Sequence, residues 1–188
     1  MRTGCSPRLL VTLVIGAIAL AGQQPQKSKP PIARGRGIAL ASGGTLRYST
    51  ERNRTRVELR PAKKSATKTQ VLLLRDETVA PAGPVQAFEL LAEKPSGVYV
   101  VTDRYASRPG PMSYCQAGQE QFVRVLVQSR GLRETFSLKV LSCRSNLELG
   151  PAGLSWDNAS STLTVDGADP KRYRVGDDGL VTPLATPY

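Results

Sequence analysis

The sequence predicts an all-β protein: an antiparallel sandwich or barrel of about nine or ten short strands with one disulfide. Three observations lead there. Apolar and polar residues alternate with a period of two in run after run, and the 3.6-residue helical period is almost absent. Turn formers are frequent, with 14 Pro and 17 Gly in 188 residues, and they punctuate the chain at the short spacing of all-β folds. Finally, Cys115 to Cys143 reads as two strand-like runs that meet at a polar turn, with a cysteine at each outer end.

The first 21 residues read as a secretory signal peptide, cleaved after Ala21. Arg2 and Arg8 make a basic start, Leu9 to Ala21 is apolar except for Thr12 and Gly16, and Ala19-Leu20-Ala21 fits the small-x-small cleavage pattern. The apolar run is shorter than the roughly 20 residues a membrane span requires. Cys5 lies before that run and leaves with the leader, so the mature chain keeps Cys115 and Cys143. An even pair in an exported protein is expected to form a disulfide in an oxidising compartment.

Residues 22–42, rich in Pro, Gln and Lys, read as a flexible tether. A single β-rich domain then occupies 43–188, a length suited to one domain. Charge is unevenly placed. Lys27 to Lys68 holds 12 Lys and Arg against Glu51 and Glu58, whereas Thr69 to Tyr188 holds 12 basic and 13 acidic residues. Nucleic acid is disfavoured as a partner by the exported address and by the single aromatic residue, Tyr48, in the basic stretch. An anionic envelope polymer, a lipid surface or an acidic protein suits the compartment better.

Thr45 to Arg60 is the first expected hairpin. Leu46 and Tyr48, then Thr55, Val57 and Leu59, fall on one face, with a turn at Glu51-Arg52-Asn53. Arg47, Arg54, Arg56 and Arg60 share the other face, a guanidinium ladder that binds carboxylates or phosphates or protects a sheet edge. Gln70 to Arg75 reads as a buried strand, Val85 to Ala92 as strand or short helix, and Val98 to Thr102 as a strand. Gln121 to Gln128 and Thr135 to Ser142 form the central hairpin, turning near Gly131. Leu147 to Leu149, a Leu154–Val165 hairpin and an Arg172–Pro183 hairpin complete the list.

With the turn at Gly131, Cys143 falls opposite about residue 119, and Cys115 reaches it only if Gln116-Ala117-Gly118 folds back. The bond then pins the Tyr105–Tyr114 loop, whose Arg104, Tyr105, Arg108 and Tyr114 are the expected binding residues. A covalently held loop binds at lower ordering cost. The block Y-C-Q-A-G-Q-E, followed by two strands and S-C, resembles a pattern in small uncharacterised exported proteins of Gram-negative bacteria. That resemblance covers about 30 residues and implies a periplasmic address without an attached activity.

Catalytic chemistry finds little support. The chain has no histidine, which removes Ser-His-Asp and Cys-His systems and histidine-ligated zinc. Ser65-Ala66-Thr67-Lys68 has serine-x-x-lysine spacing but lacks the accompanying elements. Glu120, Glu134, Asp103 and Asp157 are available carboxylates for a glycan hydrolase, although no spacing pairs two of them. Asp166, Asp169, Asp177 and Asp178 lack a calcium-loop pattern and suit Asp-Gly turns. No metal or other cofactor is therefore expected. Trp156 with Tyr99, Tyr105, Tyr114 and Tyr173 could line a recognition surface or sit in the core. The expected function is non-catalytic binding of another protein by a periplasmic inhibitor, immunity or chaperone-like module. Attachment to an anionic envelope surface through the basic third is the alternative.

Overall fold

Alternation and turn chemistry build the strands. A computed structural model of the chain describes residues 37–51, 54–62, 68–74, 76–79 and 84–185. The expected leader, residues 22–36 of the expected tether, Arg52 and Asn53 of the first turn, Arg75, and Ser65 to Thr67 of the serine-x-x-lysine motif lie outside these residues. Twelve strands are present among those described: β1 (Gly37–Ala39), β2 (Thr45–Glu51), β3 (Arg54–Arg60), β4 (Gln70–Leu74), β5 (Ala87–Lys94), β6 (Val98–Ala106), β7 (Gln119–Gln128), β8 (Leu132–Ser142), β9 (Leu154–Asp157), β10 (Thr162–Val165), β11 (Lys171–Val175) and β12 (Val181–Leu184). All pair antiparallel.

They form three four-stranded meanders, β1-β2-β3-β4, β5-β6-β7-β8 and β9-β10-β11-β12. The fold is therefore all-β and sandwich-like, and not a closed barrel. The β5–β8 sheet is the middle layer. One of its faces packs Phe88, Tyr99, Val101 and Leu126 against Leu46, Val57, Leu59 and Leu74 of the first sheet. The other packs Val98, Val100, Val123, Val125 and Val140 against Leu163, Val165 and Val175 of the third. A middle strand is buried on both faces, which explains why Val98-Tyr99-Val100-Val101 is continuously apolar instead of alternating.

Several expectations meet their structural outcome here. The first hairpin pairs Leu46 with Leu59 and Tyr48 with Val57, as the alternation requires. Val85 to Ala92 resolves as the strand β5, bulged at Leu91. Gln70 to Leu74 is a strand at the end of its sheet, and its Val71 and Leu73 are exposed at 42 % and 41 %. The apolar run there thus covers an edge strand and not a buried one. Leu147 to Leu149 forms no strand; only Leu147 bridges, to Ser142. Within the stretch read as tether, Gly37–Ala39 pairs with β2 and Leu40 is buried.

Polar groups fasten the layers. The Glu93 carboxylate on β5 accepts the Ala41 and Ser42 amides, at 2.6 and 3.1 Å, and so ties the first sheet's leading turn to the middle layer. On the opposite side Lys94 donates to the Val175 carbonyl and pairs with Asp177 at 2.7 Å. Thr135, the extra residue in a β8 bulge, donates to the Gly179 carbonyl at 2.8 Å.

Candidate functional site

Two features at one end of the sandwich stand apart from ordinary packing: a disulfide-fastened loop, and a charge network buried beneath the first sheet.

The disulfide joins Cys115 to Cys143. Glu120 pairs with Ser142, and the Cys143 amide donates to the Gln119 carbonyl, so Cys143 stands opposite residue 119. Cys115 reaches it by the fold-back expected from the sequence: the Gly118 amide donates to the Cys115 carbonyl across a tight turn. Gly118 is required for this approach, since a Cβ there would lie 2.5 Å from Cys143 Cβ. Cys115 itself takes the left-handed conformation, φ 63°, which costs an L-residue energy. The loop is also tied by the Ser107 amide to the Gly118 carbonyl, by the Arg108 amide to the Thr78 carbonyl, and by the Gly110 amide to the Tyr114 carbonyl.

The loop lies further along the chain than the sequence suggested. Tyr105 and Ala106 complete β6, and the irregular stretch runs from Ser107 to Gly118. Of the four expected binding residues, Arg108 and Tyr114 are exposed, Arg104 is half-buried with its Nε hydrogen buried and unpaired, and Tyr105 is only 5 % exposed. Tyr105 therefore cannot touch a partner at the surface; its place is in the network below. The side chain that the sequence reading missed is Met112, at φ 50° on a single 3-10 turn and fully exposed (101 %), two residues before Tyr114 at 58 %. Composition gives no signal for it, because exposure of one Met depends on the turn that carries it.

The network sits on the face of the middle sheet toward β1–β4. The Arg124 Nε donates to both Asp103 oxygens, and its Nη1 reaches Glu134 and Ser137. Tyr105 donates its hydroxyl to Asp103 at 2.5 Å and lies 2.6 Å from the Thr55 hydroxyl on β3. Nearer the disulfide, Glu120 Oε1 accepts from the Ser107 hydroxyl at 2.6 Å and from the Arg144 amide at 3.4 Å, while Glu120 Oε2 is buried without a hydrogen bond, 3.8 Å from the Lys139 ammonium. Lys139 also reaches Thr78 and Asp76, and both cations lie over the Phe122 ring.

Electrostatics follow from burial and pairing. Burial pushes the Asp103 carboxyl above its ordinary value, against the pull of Arg124 and the Tyr105 hydroxyl. Burial also opposes the Arg124 charge, yet Asp103 and Glu134 overcome it and raise the guanidinium. The Tyr105 hydroxyl is pushed far up by burial and by the Asp103 charge. Asp76 lies below its ordinary value: burial works against its charge, but the Thr78 hydroxyl and amide and the Lys139 ammonium outweigh it.

Three of the four candidate carboxylates, Asp103, Glu120 and Glu134, are thus brought into one cluster, although Asp103 and Glu120 have no exposed surface for a substrate. Asp157 stands apart in the β9–β10 turn, where the Ser160 hydroxyl and Ala159 amide hold it below its ordinary value. Asp166 and Asp178 accept backbone amides of Ala152 and Leu180, Asp177 pairs with Lys94, and Asp169 pairs with Lys171. Of the aromatic set, Tyr99 is buried, Trp156 packs on the core and bonds Asn158, and Tyr173 packs on Phe136; Tyr114 alone is exposed.

The basic face exists but is interleaved with acid. Glu58 accepts from Arg56 at 2.8 Å and from Arg60 at 3.0 Å, and Arg56 also pairs with Glu51. Hydrogen bonds from Arg56, then Arg60, hold the Glu58 carboxyl below its ordinary value. Arg47 and Arg54 are exposed and make no ion pair among the described residues. Two of its four arginines are matched by the face's own glutamates, so it is not a uniform cationic plate.

Compared with protein-family profiles, curated proteins and solved structures, the chain matches none.

Proposed function

We propose that this chain is an exported, non-catalytic binding protein, an inhibitor, immunity or chaperone-like module of the periplasm, that recognises another protein with the Ser107–Gly118 loop. The observation that carries this reading is the pairing of exposure with fixation. Met112 and Tyr114 project from a loop fastened by a disulfide and backbone hydrogen bonds at its base. Large apolar and aromatic side chains supply most binding energy at protein interfaces. A loop ordered before binding loses little further entropy. Arg108 and Arg144, both exposed, flank the tip and suit a partner with acidic groups around an apolar pocket. The disulfide suits an oxidising compartment. The Arg47-to-Arg60 face supports the alternative, attachment to an anionic polymer or lipid, less well, because its own glutamates occupy Arg56 and Arg60.

The test is capture of envelope proteins on the immobilised, oxidised chain. The wild type is expected to retain a stoichiometric protein partner, and Met112→Asp with Tyr114→Ala to weaken retention by about tenfold or more, equivalent to 1.4 kcal/mol. Arg47→Ala with Arg54→Ala should leave retention unchanged. A partner held equally by the loop variant overturns the proposal.

A further inference from the structure

The middle sheet ends at β8, and the outer side of that strand is open along most of its length. Among the described residues only Ser142 pairs there: its amide donates to the Leu147 carbonyl at 3.0 Å and its carbonyl accepts the Leu147 amide at 2.9 Å. After Leu147 the chain leaves β8 and crosses to the third sheet, where the Gly150 amide donates to the Asp166 carbonyl. A groove of about 500 Å³ separates the two, lined by Leu138, Val140, Leu147, Leu149 and Val165 among others.

Ser142 directs both of its backbone groups outward, to Leu147, and no other β8 residue has a backbone partner on that side among the described residues. Val140 is also the residue that the β7 register skips: Gln121 pairs with Leu141 and Phe122 with Lys139. The bulge interrupts the ladder at Val140, and the regular part of the strand on either side of it keeps the open edge to which an extended peptide adds.

The rim decides the chemistry of that strand. Glu148 makes no ion pair among the described residues, Asp166 accepts only a backbone amide, and Asp169 shares its charge with Lys171 at 3.6 Å. Two cations also line the groove: Lys171, matched by Asp169, and Lys139, which directs its ammonium to Asp76, Thr78 and Glu120 in the buried network, so Glu148 and Asp166 are left in excess. The groove therefore has an apolar floor and a net negative rim. Its Leu147 is 41 % exposed.

We infer that this groove receives an extended peptide from a partner protein, apolar at alternate positions and with lysine or arginine between them, which continues antiparallel to β8 in the lane that Leu147 begins. Backbone hydrogen bonds to β8 hold the peptide, the apolar side chains fill the floor over Val140 and Val165, and the cations meet Glu148, Asp166 and Asp169. The assignment stands on the groove alone, apart from the loop reading.

The test is fluorescence anisotropy of the oxidised full chain with a labelled ten-residue peptide that alternates valine and lysine. Peptides that alternate valine and glutamate, or that carry a proline at the centre of the valine–lysine sequence, serve as controls; proline removes a ladder hydrogen bond. Binding is expected for the valine–lysine peptide alone, with a loss of about tenfold or more in Leu147→Asp and in Glu148→Lys with Asp169→Lys. Bound peptide should slow hydrogen exchange of the β8 amides on the open edge. The loop variant Met112→Asp with Tyr114→Ala should bind the peptide as the wild type does, which separates this site from the loop. No binding, equal binding of the proline peptide, or binding indifferent to the Leu147 and Glu148–Asp169 variants overturns the inference.

Discussion

Arg124 Nε donates to both carboxylate oxygens of Asp103, at 2.8 and 3.0 Å, between adjacent strands of the middle sheet, and the two residues are only 3 % and 0 % exposed. A buried pair of this kind is stabilising mainly against its own half-removal. Arg124→Met should destabilise by about 3–5 kcal/mol because it leaves the Asp103 charge buried without its cation, and Asp103→Leu by less, because Arg124 keeps Glu134. The double variant should recover a large part of the loss, as measured by urea unfolding of all four proteins. Additive losses would show that the pair is not the coupled unit described.

The two tyrosines once grouped in one loop should respond differently. Tyr105→Phe removes a donor to Asp103 and a partner of Thr55, a loss of about 1–3 kcal/mol for a buried group left unsatisfied. Tyr114 is exposed, and its weak 3.4 Å contact to the Cys143 carbonyl contributes little. Tyr114→Phe should change stability by less than about 0.5 kcal/mol. Thermal unfolding of the two variants side by side checks this contrast.

The disulfide closes a loop with a sequence separation of 28. Loop-closure entropy puts its contribution at about 3–4 kcal/mol. Cys115→Ser with Cys143→Ser should lose about that much, read from the denaturant midpoint under oxidising conditions. Gly118→Ala should lose stability as well, since its Cβ would meet Cys143 Cβ at 2.5 Å and Sγ at 2.8 Å.

Acid should weaken the fold through Asp76 and Glu58. Both carboxyls lie below their ordinary values in the folded protein, Asp76 through Thr78 and Lys139, Glu58 through Arg56 and Arg60. A depressed carboxyl binds fewer protons folded than unfolded, so its contribution is complete above the unfolded value near 4 and disappears as pH falls through the folded one. Asp103, raised by burial, has the opposite sign and limits the total loss. Stability measured from pH 6 down to pH 2 should therefore fall, and Asp76→Asn should flatten the slope.

Much of the local structure was legible from alternation, because a strand with one wet face writes its period of two into the sequence. Thr45 to Arg60, Leu154 to Val165 and Arg172 to Pro183 were readable for that reason, as was the register that sets Cys143 against residue 119. The same logic failed at Arg124 and Glu120. They alternate with Val123 and Val125 as outward-facing polar residues do, yet that second face is covered by the first sheet. Gln70 to Leu74 misled in the other direction, since an apolar run reads as buried whether or not anything lies over its outer face.

The sequence by itself determined an all-β chain, its hairpins, the cysteine pair and the lack of histidine chemistry, all consequences of local pattern and composition. Only the tertiary structure decided that three sheets stack and that Asp103, Tyr105, Glu120 and Arg124 share one buried network. It also decided that Met112 stands at the tip of the fastened loop and that β8 keeps an open edge. Those are contacts between segments far apart in the chain, set by which faces the layers cover, and no local period encodes which face will meet another sheet.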